Sequence, residues 1–541
     1  MTPTLGLGLA GAGRFGAFLA AAIADLPGLQ VQAVADPDQA RATELAATHG
    51  ARATATWQDL LADDRVDVVA VVTPPHRHAE VTLAALAAGK HVFAEKPVAT
   101  TVADAREVVA AAAASGRQLV VDHVLRYNPL IQALVMLQDE LLGPVQRFAF
   151  ENDASDEHLP PDHWFWDEAT SGGIFIEHGV HFFDAAHLLL GSAPLAVSAT
   201  AAHREDGTTD LVSATALHPG GALATHTHGF SHADRCERQA WRMDHGSAEV
   251  RVEGWIPLRA RVEAWTDDAG AETAYGLPGR AEALFEVPGH RLGAGAGITA
   301  VVHRDAAAPA ARGRGRDLVL PHRVVLELVL GDDGAKPRVY AESVRAAAAD
   351  LVSAAAGGPP VRSGPAQALA ATTVADAARR AAAESRQIRP DLSNVSDHPT
   401  PREDLMTTAA STGNAGPRPA ERVEKPWGHE QIFAVVEGRY VGKLLTVRAG
   451  ESLSLQYHDH KDETIALVSG RAELDLGTAA DSLRRVPLEV GTSVHVQPGV
   501  LHRLRALDDS VFVEASTADP GWREDVVRIE DRYGRDGTSA P

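Results

Sequence analysis

The segment Leu5-Gly-Leu-Gly-Leu-Ala-Gly-Ala-Gly-Arg-Phe-Gly16 opens the chain and predicts how its first domain folds. The apolar run from Leu5 to Ala10 predicts a buried strand, and the alanine-rich stretch from Ala17 to Asp25 predicts a helix. Between them stands Gly-x-Gly-x-x-Gly, and the order strand, glycine turn, helix is the setting that a dinucleotide-binding fingerprint requires. Taken alone, the glycines also fit an ordinary strand-to-helix turn.

Each glycine of this turn has a separate expected role. Gly11 permits the tight turn, Gly13 lets a pyrophosphate approach the backbone, and Gly16 lets the helix pack closely on the strand. The unpaired amides at the N-terminus of the helix then face the phosphates.

A carboxylate at the end of the next strand strengthens the dinucleotide interpretation. The predicted strand Leu29 to Ala35 ends in Asp36, which lies twenty residues past Gly16. At that offset a carboxylate meets the adenosine ribose hydroxyls and repels a 2′-phosphate, so it favours NAD over NADP. The nearby Arg41 keeps NADP open as an alternative.

The length and composition of the chain limit the classes of protein to which it belongs. With 541 residues it is long enough for about three or four domains. Its net charge of −22 argues against nucleic acid and anionic membrane surfaces as partners. No apolar run reaches the length of a membrane span, and the first strand begins too early for a signal peptide. The single cysteine, Cys236, excludes an intramolecular disulfide, so we expect a cytoplasmic protein.

Hydropathy patterns divide the chain into four predicted regions. Residues 1–124 alternate apolar strands with alanine-rich helices, which predicts a parallel sheet covered on both faces. Residues 125–390 contain longer strands and two alanine-rich helices, which predicts an α+β domain with an open, mostly antiparallel sheet. Residues 391–420 are rich in Pro, Ser, Thr, Asn and Gly, which predicts a linker. Residues 421–541 alternate short strands with turns, which predicts a small β-barrel or jelly roll.

Two stretches of the first half carry candidate chemistry. Lys96, in Glu95-Lys96-Pro97, closes a predicted strand at the edge of the sheet where ligands bind. From Ser171 to Asp184, a helix would place Glu177, His181 and Asp184 at i, i+4 and i+7 on one face. A histidine near a carboxylate is a common general base for a hydroxyl proton. The alternatives are an exposed ion pair at Lys96, and a buried polar cluster or a metal site that includes His178 and His181.

At these residues the sequence resembles the Gfo/Idh/MocA oxidoreductases, over about residues 5 to 390. The matching motifs are the glycine turn, Thr73-Pro74-Pro75 with His78, Gly89-Lys90-His91-Val92, Glu95-Lys96-Pro97, and Gly172-Gly173 through Gly179-Val180-His181 to Asp184. The resemblance implies an α/β Rossmann domain plus an α+β open-sheet domain, and hydride transfer between NAD(P) and a sugar, cyclitol or related polyol. It also implies that the open sheet forms a homo-oligomer.

The resemblance assigns residues to roles position by position. Lys96 is the catalytic lysine and His181 the proton-transferring histidine, while Glu177 stands where the family usually has aspartate. Tyr127 and Asn128 fall where the second domain begins to meet substrate. The cofactor contacts that it implies are Gly11, Gly13, Arg14, Phe15, Gly16, Asp36, Thr73, Pro74, His78, Glu95 and Lys96.

The C-terminal region contains a second group of candidate ligands. Gln456, His458 and His460 are two residues apart, so a strand would point all three the same way. Glu463 follows after a short turn, and His502 lies further along the chain. Such a mixed nitrogen and oxygen set suits Zn, Mn, Fe, Ni or Co. The alternative is a polar strand face without a metal.

Residues 421 to 535 resemble the cupin superfamily, an all-β jelly roll. Counted from Gly450, the cupin pattern makes Gln456, His458 and Glu463 ligands; counted from the His-x-His pair, it makes His458 and His460 ligands. We prefer the first alignment because both flanking glycines then fit. The opening Lys425-Pro426-Trp427-Gly428 and the stretch Leu453 to His458 resemble type II mannose-6-phosphate isomerases, with Lys443, Lys461, Arg503 or Arg505 available for a phosphate.

The sequence therefore predicts an NAD(P)-dependent sugar or polyol dehydrogenase fused to a metal-binding cupin that resembles a mannose-6-phosphate isomerase. Its partner would be a small-molecule carbohydrate. One alternative makes the cupin a non-catalytic carbohydrate-binding module. A second is redox-neutral chemistry, such as glycoside hydrolysis or epimerisation, with tightly held NAD. A third is a nucleotide-sensing regulator without turnover, which would not need the set of Lys96, Glu177 and His181.

Overall fold

The computed structural model describes residues 4–156, 158–304, 310–313, 316–392, 421–436, 440–479, 481–517, 522–523 and 525–534. The chain separates into two compact units, Met1–Ala409 and Ala410–Pro541. Most of the predicted linker, residues 393–420, lies outside the described residues. The four predicted domain boundaries stay predictions.

The first unit begins with a six-stranded parallel sheet of order β3-β2-β1-β4-β5-β6. Its strands are β1 (Leu5–Ala10), β2 (Leu29–Ala35), β3 (Arg52–Thr54), β4 (Val68–Val71), β5 (His91–Ala94) and β6 (Leu119–Val121). Its helices are α1 (Arg14–Ala22), α2 (Gln39–Thr48), α3 (Gln58–Leu61), α4 (His78–Ala87) and α5 (Val102–Ser115). The strand order reverses between β1 and β4, which is where doubly wound sheets bind ligands. The predicted α/β Rossmann sheet is confirmed.

The apolar strands of this sheet are buried because helices cover both of its faces. Every residue of β4 is buried, as expected for a central parallel strand. Helix α1 begins at Arg14, earlier than the predicted Ala17, because Gly13 takes the extended N-cap conformation directly after the turn. Helix α5 begins where the Thr101 side chain accepts a hydrogen bond from the Asp104 amide, and it ends at Gly116.

A nine-stranded mixed sheet follows, with order β14-β17-β13-β12-β11-β7-β10-β9-β8. Its strands are β7 (Arg147–Asp153), β8 (Ala196–His203), β9 (Thr209–Leu217), β10 (Leu223–Gly229), β11 (Arg238–Asp244), β12 (Ala248–Glu253), β13 (Arg259–Thr266), β14 (Gly297–Arg304) and β17 (His322–Val329). Strands β15 (Ala310–Gly313) and β16 (Arg316–Val319) form a separate hairpin. All pairs in the large sheet are antiparallel except β7 with β10, so the predicted open, mostly antiparallel sheet is confirmed.

The helices of this second part contact strands of both the mixed sheet and the parallel sheet. They are α6 (Pro129–Leu137), α7 (Glu168–Ser171), α8 (Ile174–Glu177), α9 (Gly179–Leu190), α10 (Asp268–Gly276), α11 (Ala281–Leu284), α12 (Lys336–Ala355) and α13 (Pro365–Glu384). The ring of Phe182, on α9, stacks on Phe150 of β7 with centroids 3.6 Å apart. This contact fixes α9, which carries His181, against the sheet.

The second unit is all β, as predicted, and its two sheets form the layers of a jelly roll. Its strands are β18 (Glu421–Lys425), β19 (Gly428–Val436), β20 (Tyr440–Val447), β21 (Leu455–Tyr457), β22 (Glu463–Ser469), β23 (Ala472–Gly477), β24 (Arg484–Leu488), β25 (Ser493–Val496), β26 (Leu501–Ala506), β27 (Ser510–Ser516) and β28 (Val527–Glu530). The sheet orders are β18-β19-β20-β27-β22-β25 and β24-β23-β26-β21-β28. Buried apolar residues of both sheets, Phe512 and Leu474 among them, form one core. Among the described residues, no helix is long and apolar enough to cross a membrane.

A buried ion pair ties α9 to the segment that follows the parallel sheet. The Arg126 Nε donates to both carboxylate oxygens of Asp184, at 2.9 and 2.7 Å. The two side chains are only 4% and 0% exposed. Removing one partner would therefore leave a buried charge without compensation.

We predict that Asp184→Asn lowers the stability of the first unit by about 3–5 kcal/mol, because Arg126 stays buried and loses its counter-charge. The control is Glu140→Gln, whose partner Arg280 is half exposed, and which should cost no more than about 1 kcal/mol. Scanning calorimetry of the full chain checks this. One transition should move to lower temperature in Asp184→Asn and stay in place in the control, whereas equal shifts in both variants would contradict the prediction.

Candidate functional site

The glycine turn has the shape that a dinucleotide phosphate needs. A Cβ at Gly11 would lie 2.5 Å from the Val72 carbonyl oxygen, and one at Gly16 would lie 2.4 Å from the Gly11 carbonyl oxygen. A Cβ at Gly13 would meet nothing within 4 Å, so the space above Gly13 is open. No side chain caps α1, and its first turn carries no acidic residue. Its N-terminal amides are therefore available to an anion.

Asp36 lies at this turn, at the end of β2. Its Oδ2 accepts a hydrogen bond of 2.8 Å from the amide of Ala12, and its Oδ1 accepts one of 2.8 Å from the amide of Asp38. The exposed Arg41 guanidinium lies 3.5 Å from Oδ1. The carboxylate is thus held beside the glycine turn, where sequence analysis predicts the adenosine ribose.

The residues after β4 that were predicted to contact the cofactor have different environments. The Thr73 hydroxyl is buried without a hydrogen-bond partner among the described residues. Pro74 is exposed. The buried His78 ring instead joins two backbone segments, because Nδ1 lies 2.7 Å from the Pro97 carbonyl oxygen and Nε2 lies 2.6 Å from the Thr73 carbonyl oxygen. His78 therefore positions the backbone beside Lys96.

Lys96 and Glu177 form a buried ion pair between the end of β5 and the end of α8. The Lys96 Nζ lies 2.7 Å from Glu177 Oε1 and donates a second hydrogen bond of 2.9 Å to the Glu177 carbonyl oxygen. The side chains are 12% and 13% exposed. Burial lowers the pKa of Lys96, but the carboxylates of Glu177 and Glu95 outweigh it and raise that pKa above its ordinary value. The ammonium therefore stays charged at neutral pH.

Two further carboxyl groups are buried beside Lys96. Glu95 precedes it, and Asp122 directly follows β6, the neighbouring strand. Burial raises the pKa of Glu95 well above its ordinary value and raises the pKa of Asp122 to about 7, while the charge of Lys96 opposes both shifts. Burial therefore disfavours the charged form of both carboxyl groups.

His181 is a buried, neutral base on α9. It is 8% exposed, and its Nδ1 has no hydrogen-bond partner among the described residues. Burial lowers the pKa of His181 well below its ordinary value, and the charge of Lys96 lowers it further. The ring is neutral at pH 7 and can accept a proton.

The segment from Ser171 to Asp184 is not one continuous helix, which was one of the conformations open for it. Helix α8 ends at Glu177 and α9 begins at Gly179, so the i, i+4, i+7 line does not form. Glu177 pairs with Lys96 and Asp184 pairs with Arg126. Because both carboxylates are engaged in these tertiary ion pairs, local spacing did not determine their partners.

His178 lies between the two helices, and its contacts are not those of a metal ligand. Its Nδ1 lies 3.1 Å from the Nδ1 of His228, and its ring packs against Phe182 and Phe230. Among the described residues, the only group of three side chains placed to share a metal ion lies in the second unit. The structure therefore does not support the metal alternative for His178 and His181.

Tyr127 and Asn128 have structural partners. The Tyr127 hydroxyl donates a hydrogen bond of 2.8 Å to Asp350. Asn128 caps α6 by accepting from the amides of Leu130 and Ile131, and it donates to the Pro257 carbonyl oxygen. Both residues hold the fold at the point where the two sheets join.

The second unit brings three predicted metal ligands together. The ligand atoms of His458, Glu463 and His502 lie within 4.8 Å of one another, and all three residues are buried. The Nδ1 atoms are fixed by backbone carbonyls: His458 at Asp525 and His502 at Val500. The Nε2 atoms then lie 3.5 and 2.9 Å from the Glu463 carboxylate. Fixing Nδ1–H on a carbonyl is the usual way to present Nε2 to a metal.

The orientation of His458 fits a bound cation in particular. Burial lowers the pKa of His458 to about 4, so the ring is neutral at pH 7. With Nδ1–H donated to a carbonyl, the Nε2 lone pair faces the Glu463 carboxylate and is buried without a hydrogen-bond partner among the described residues. A cation bound between this Nε2 and the Glu463 carboxylate would pair with both acceptors.

The other two predicted ligands have different positions. Gln456 pairs with His502 across β21 and β26, and its Nε2 lies 3.4 Å from the His502 Nε2, at the edge of the group. His460 is exposed and does not join the group. The prediction placed it there by continuing a strand, but β21 ends at Tyr457 and the chain turns before His460.

The lysines and the arginines lie on opposite faces of the barrel wall. The Lys461 Nζ lies 2.7 Å from Glu463 and 3.1 Å from Glu514, which also pairs with Lys443 at 3.2 Å. Arg503 and Arg505 alternate with His502 along β26 and lie toward Asp475 on the opposite face. Of the residues predicted to meet a phosphate, only the two lysines lie beside the metal group.

Sequence analysis missed two buried polar residues at the first site, Asp122 and His123. They directly follow the apolar strand β6, and this is the same signal that singled out Lys96 after β5. Asp525, which orients His458 and accepts from the amides of His460 and Lys461, had no such signal because its partners are distant in sequence.

Three family models match the chain. The model "Oxidoreductase family, NAD-binding Rossmann fold" matches residues 5–123, and the "GFO/IDH/MocA C-terminal domain" matches residues 131–250. The "Mannose-6-phosphate isomerase C-terminal" model matches residues 416–531. Together they reproduce the order of the two resemblances found in the sequence.

Curated relatives resemble the first unit. Trans-1,2-dihydrobenzene-1,2-diol dehydrogenase of Oryctolagus cuniculus is 32% identical over 240 residues, which are 43% of this chain and 70% of the relative. Inositol 2-dehydrogenase of Rhizobium meliloti is 32% identical over 200 residues, which are 37% of this chain and 59% of the relative. Across four of the relatives, the chain spans between 52% and 67% of their length.

Solved structures share the fold of the first unit. An oxidoreductase domain protein from Kribbella flavida is 21% identical with a TM-score of 0.56, covering 72% of this chain and 100% of that one. Levoglucosan dehydrogenase, in complex with NADH and levoglucosan, is 19% identical with a TM-score of 0.54 and the same coverage of both chains.

The glycine turn predicts two different results for two alanine substitutions. Gly16→Ala places a Cβ against the Gly11 carbonyl oxygen, so it should lower the melting temperature of the first unit. Gly13→Ala meets nothing, so the apo protein should melt as the wild type does, while its NAD+ affinity falls about tenfold or more because the pyrophosphate must approach that atom.

Calorimetry and titration with NAD+ separate the two effects. An unchanged NAD+ affinity in a well-folded Gly13→Ala variant would contradict the assignment of the turn to phosphate binding.

Proposed function

The chain belongs to the Gfo/Idh/MocA family of NAD-binding oxidoreductases, and from this we propose that its first unit is a dehydrogenase of sugars or cyclitols. The observation that carries the proposal is the buried Lys96–Glu177 ion pair beside a neutral His181, at the edge of the sheet that also carries the glycine turn. The activities of the relatives, which include inositol 2-dehydrogenase and 1,5-anhydro-D-fructose reductase, support a polyol or sugar as the substrate.

The residues fit an NAD-dependent reaction. The open space above Gly13 and the unpartnered Thr73 hydroxyl suit the dinucleotide, and the Asp36 carboxylate favours NAD over NADP. When bound, the nicotinamide supplies the hydride acceptor. The Lys96 ammonium orients and polarises the reacting oxygen, and the Nδ1 of His181 accepts the hydroxyl proton. Glu177 holds the lysine in place through its carboxylate and its carbonyl oxygen.

The outer face of the nine-stranded sheet supports association with a second copy of the chain. Leu217 and Leu223 are cross-strand partners with exposed side chains, and Trp265 and Val301 are exposed on the same sheet. A contiguous exposed apolar patch is typical of a protein–protein interface, and of these four side chains Leu217 and Leu223 are direct cross-strand neighbours.

The first proposal predicts NADH formation with a defined loss in one variant. Purified full chain with NAD+ should oxidise at least one of myo-inositol, D-glucose and 1,5-anhydro-D-glucitol, measured at 340 nm. Lys96→Met should lower kcat about 100- to 10,000-fold, because the group that polarises the reacting oxygen is lost. NAD+ affinity should change little, and Lys96→Arg should recover part of the activity.

His226→Phe is the control, since His226 packs between Phe148 and Phe183, away from Lys96. A wild-type protein that binds NAD+ and oxidises no sugar or cyclitol would overturn the proposal.

We further propose that the second unit binds a divalent metal through His458, Glu463 and His502, with Gln456 at the edge of the site. The supporting observation is the pair of imidazoles whose Nδ1 atoms are held by carbonyls and whose Nε2 atoms face one carboxylate. The buried Lys443 and Lys461 favour an anionic ligand, such as a sugar phosphate, beside it. Isomerisation of a hexose phosphate is the activity that the family match supports, and non-catalytic carbohydrate binding is the alternative.

Metal binding is predicted to depend on His502 and not on His460. Calorimetric titration of the chelator-treated full chain with ZnCl2 should show one site in the wild type. His502→Ala should weaken it about 100-fold or more, because one of three protein ligands is lost.

His460→Ala is the matched control, because that ring is exposed in the turn, and its affinity should equal that of the wild type. Equal losses in both variants, or no zinc binding in the wild type, would contradict the assigned ligand set.

A further inference from the structure

Four buried polar atoms around Lys96 have no hydrogen-bond partner among the described residues. They are the Nδ1 of His181, the Oδ1 of Asp122, and both ring nitrogens of His123. Asp122 and His123 are each 1% exposed. Because buried polar groups in native proteins are almost always paired, such a set of unpaired atoms indicates the place of a ligand.

Asp122 and His123 are fixed beside Lys96 by the parallel sheet. The amide of Asp122 donates a hydrogen bond of 2.9 Å to the carbonyl oxygen of Ala94, the last residue of β5. Because β6 is the neighbour of β5, Asp122 and His123 follow the strand next to the one that leads to Lys96. The charge of Lys96 also acts on the pKa of Asp122, His123 and His181. These four residues are called one cluster below.

The proposed dehydrogenase uses only part of this cluster. For the hydroxyl that is oxidised, Lys96 suffices to polarise the oxygen and His181 suffices to accept the proton. Asp122 and His123 remain, and they offer a carboxyl group and an imidazole, which together accept from and donate to a hydroxyl. A substrate with a single hydroxyl would leave them unpaired, whereas a polyol brings further hydroxyls.

We propose that Asp122 and His123 bind a second hydroxyl of the substrate, next to the one that is oxidised, and so select polyols over simple alcohols and deoxy sugars. This inference rests on the proposed dehydrogenase function and adds two substrate-contacting residues to it. A site built to hydrogen-bond a hydroxyl rejects the analogue that lacks it, because the buried polar groups are then left unpaired.

His226 shows why lack of a partner alone does not identify such a residue. Its Nδ1 is also buried and unpartnered among the described residues. Its ring, however, packs against two phenylalanines, with ring centroids 4.6 Å from Phe183 and 5.4 Å from Phe148. No charge of Lys96 acts on its pKa, which burial lowers together with His228 and His218. His226 belongs to an aromatic core, and it supplies the matched control for His123.

The test compares a substrate with its deoxy analogues in four variants of the full chain. The probes are the best substrate among myo-inositol, D-glucose and 1,5-anhydro-D-glucitol, and each monodeoxy analogue of that compound, with NAD+ in excess. The variants are Asp122→Asn, His123→Phe, His123→Gln and the control His226→Phe. For each, kcat/KM is measured with every probe, and NAD+ affinity and melting temperature are recorded.

The wild type should prefer the parent compound over one deoxy analogue by about 100-fold or more. In His123→Phe this ratio should fall below about tenfold, because kcat/KM drops for the parent and stays near the wild-type value for that analogue. Asp122→Asn, whose amide still offers a donor and an acceptor, should lose part of the preference. His123→Gln, which keeps a donor and an acceptor, should retain part of the preference. His226→Phe should keep the full ratio.

The outcomes separate this inference from the function on which it rests. The inference is overturned if the wild type oxidises a panel compound but the ratio of kcat/KM for parent over deoxy analogue is unchanged in Asp122→Asn and in either folded His123 variant. The two residues would then not bind a substrate hydroxyl. A parallel loss for parent and analogue would also overturn it, since it shows a structural role. If the wild type oxidises no panel compound, the dehydrogenase proposal fails and this inference fails with it.

Discussion

The buried ion pair between Lys96 and Glu177 is the interaction on which the first site depends. It joins the end of β5, in the parallel sheet, to the end of α8, beside the mixed sheet. A lone ammonium at this depth would lose its proton readily, but the surrounding carboxylates keep its pKa high. The pair thus fixes a charged lysine and the start of the helix that carries His181 in one arrangement, before any substrate is present.

The second site depends on backbone carbonyls in an analogous way. The carbonyls of Asp525 and Val500 fix the Nδ1 atoms of His458 and His502, so that both rings turn Nε2 toward Glu463. In the chain as described, Lys461 partly neutralises that carboxylate. In each unit, the side chains of the site are held in place by hydrogen bonds to neighbouring protein groups. Precise sites are usually supported in this way.

The sequence was sufficient for the fold class and for the elements that local patterns determine. The glycine turn, the apolar strands β5 and β6, and the all-β character of the second unit followed from spacing and alternation alone. The sequence was not sufficient where contacts between distant residues determine the partner of a side chain or the end of a strand. The charge of Asp184 is taken by Arg126, and the strand through Gln456 ends before His460. Asp122 and His123 carried the same end-of-strand signal as Lys96, but their burial appears only when β5 and β6 lie side by side.

Among the unpartnered buried nitrogens of the described residues, three groups have surroundings that give them different meanings. Beside Lys96 and at the Nε2 of His458, the unpaired nitrogens lie among charged groups that are already ion-paired. A hydroxyl of a ligand would pair the nitrogens at the first site, and a cation would pair the nitrogen at the second. At His226 and His228 the neighbours are the rings of Phe148, Phe150, Phe182 and Phe183, which offer no charge for a ligand to match. A neutral imidazole there is packed as an aromatic ring. What distinguishes a site from a core is therefore the charge that surrounds the unpaired atom.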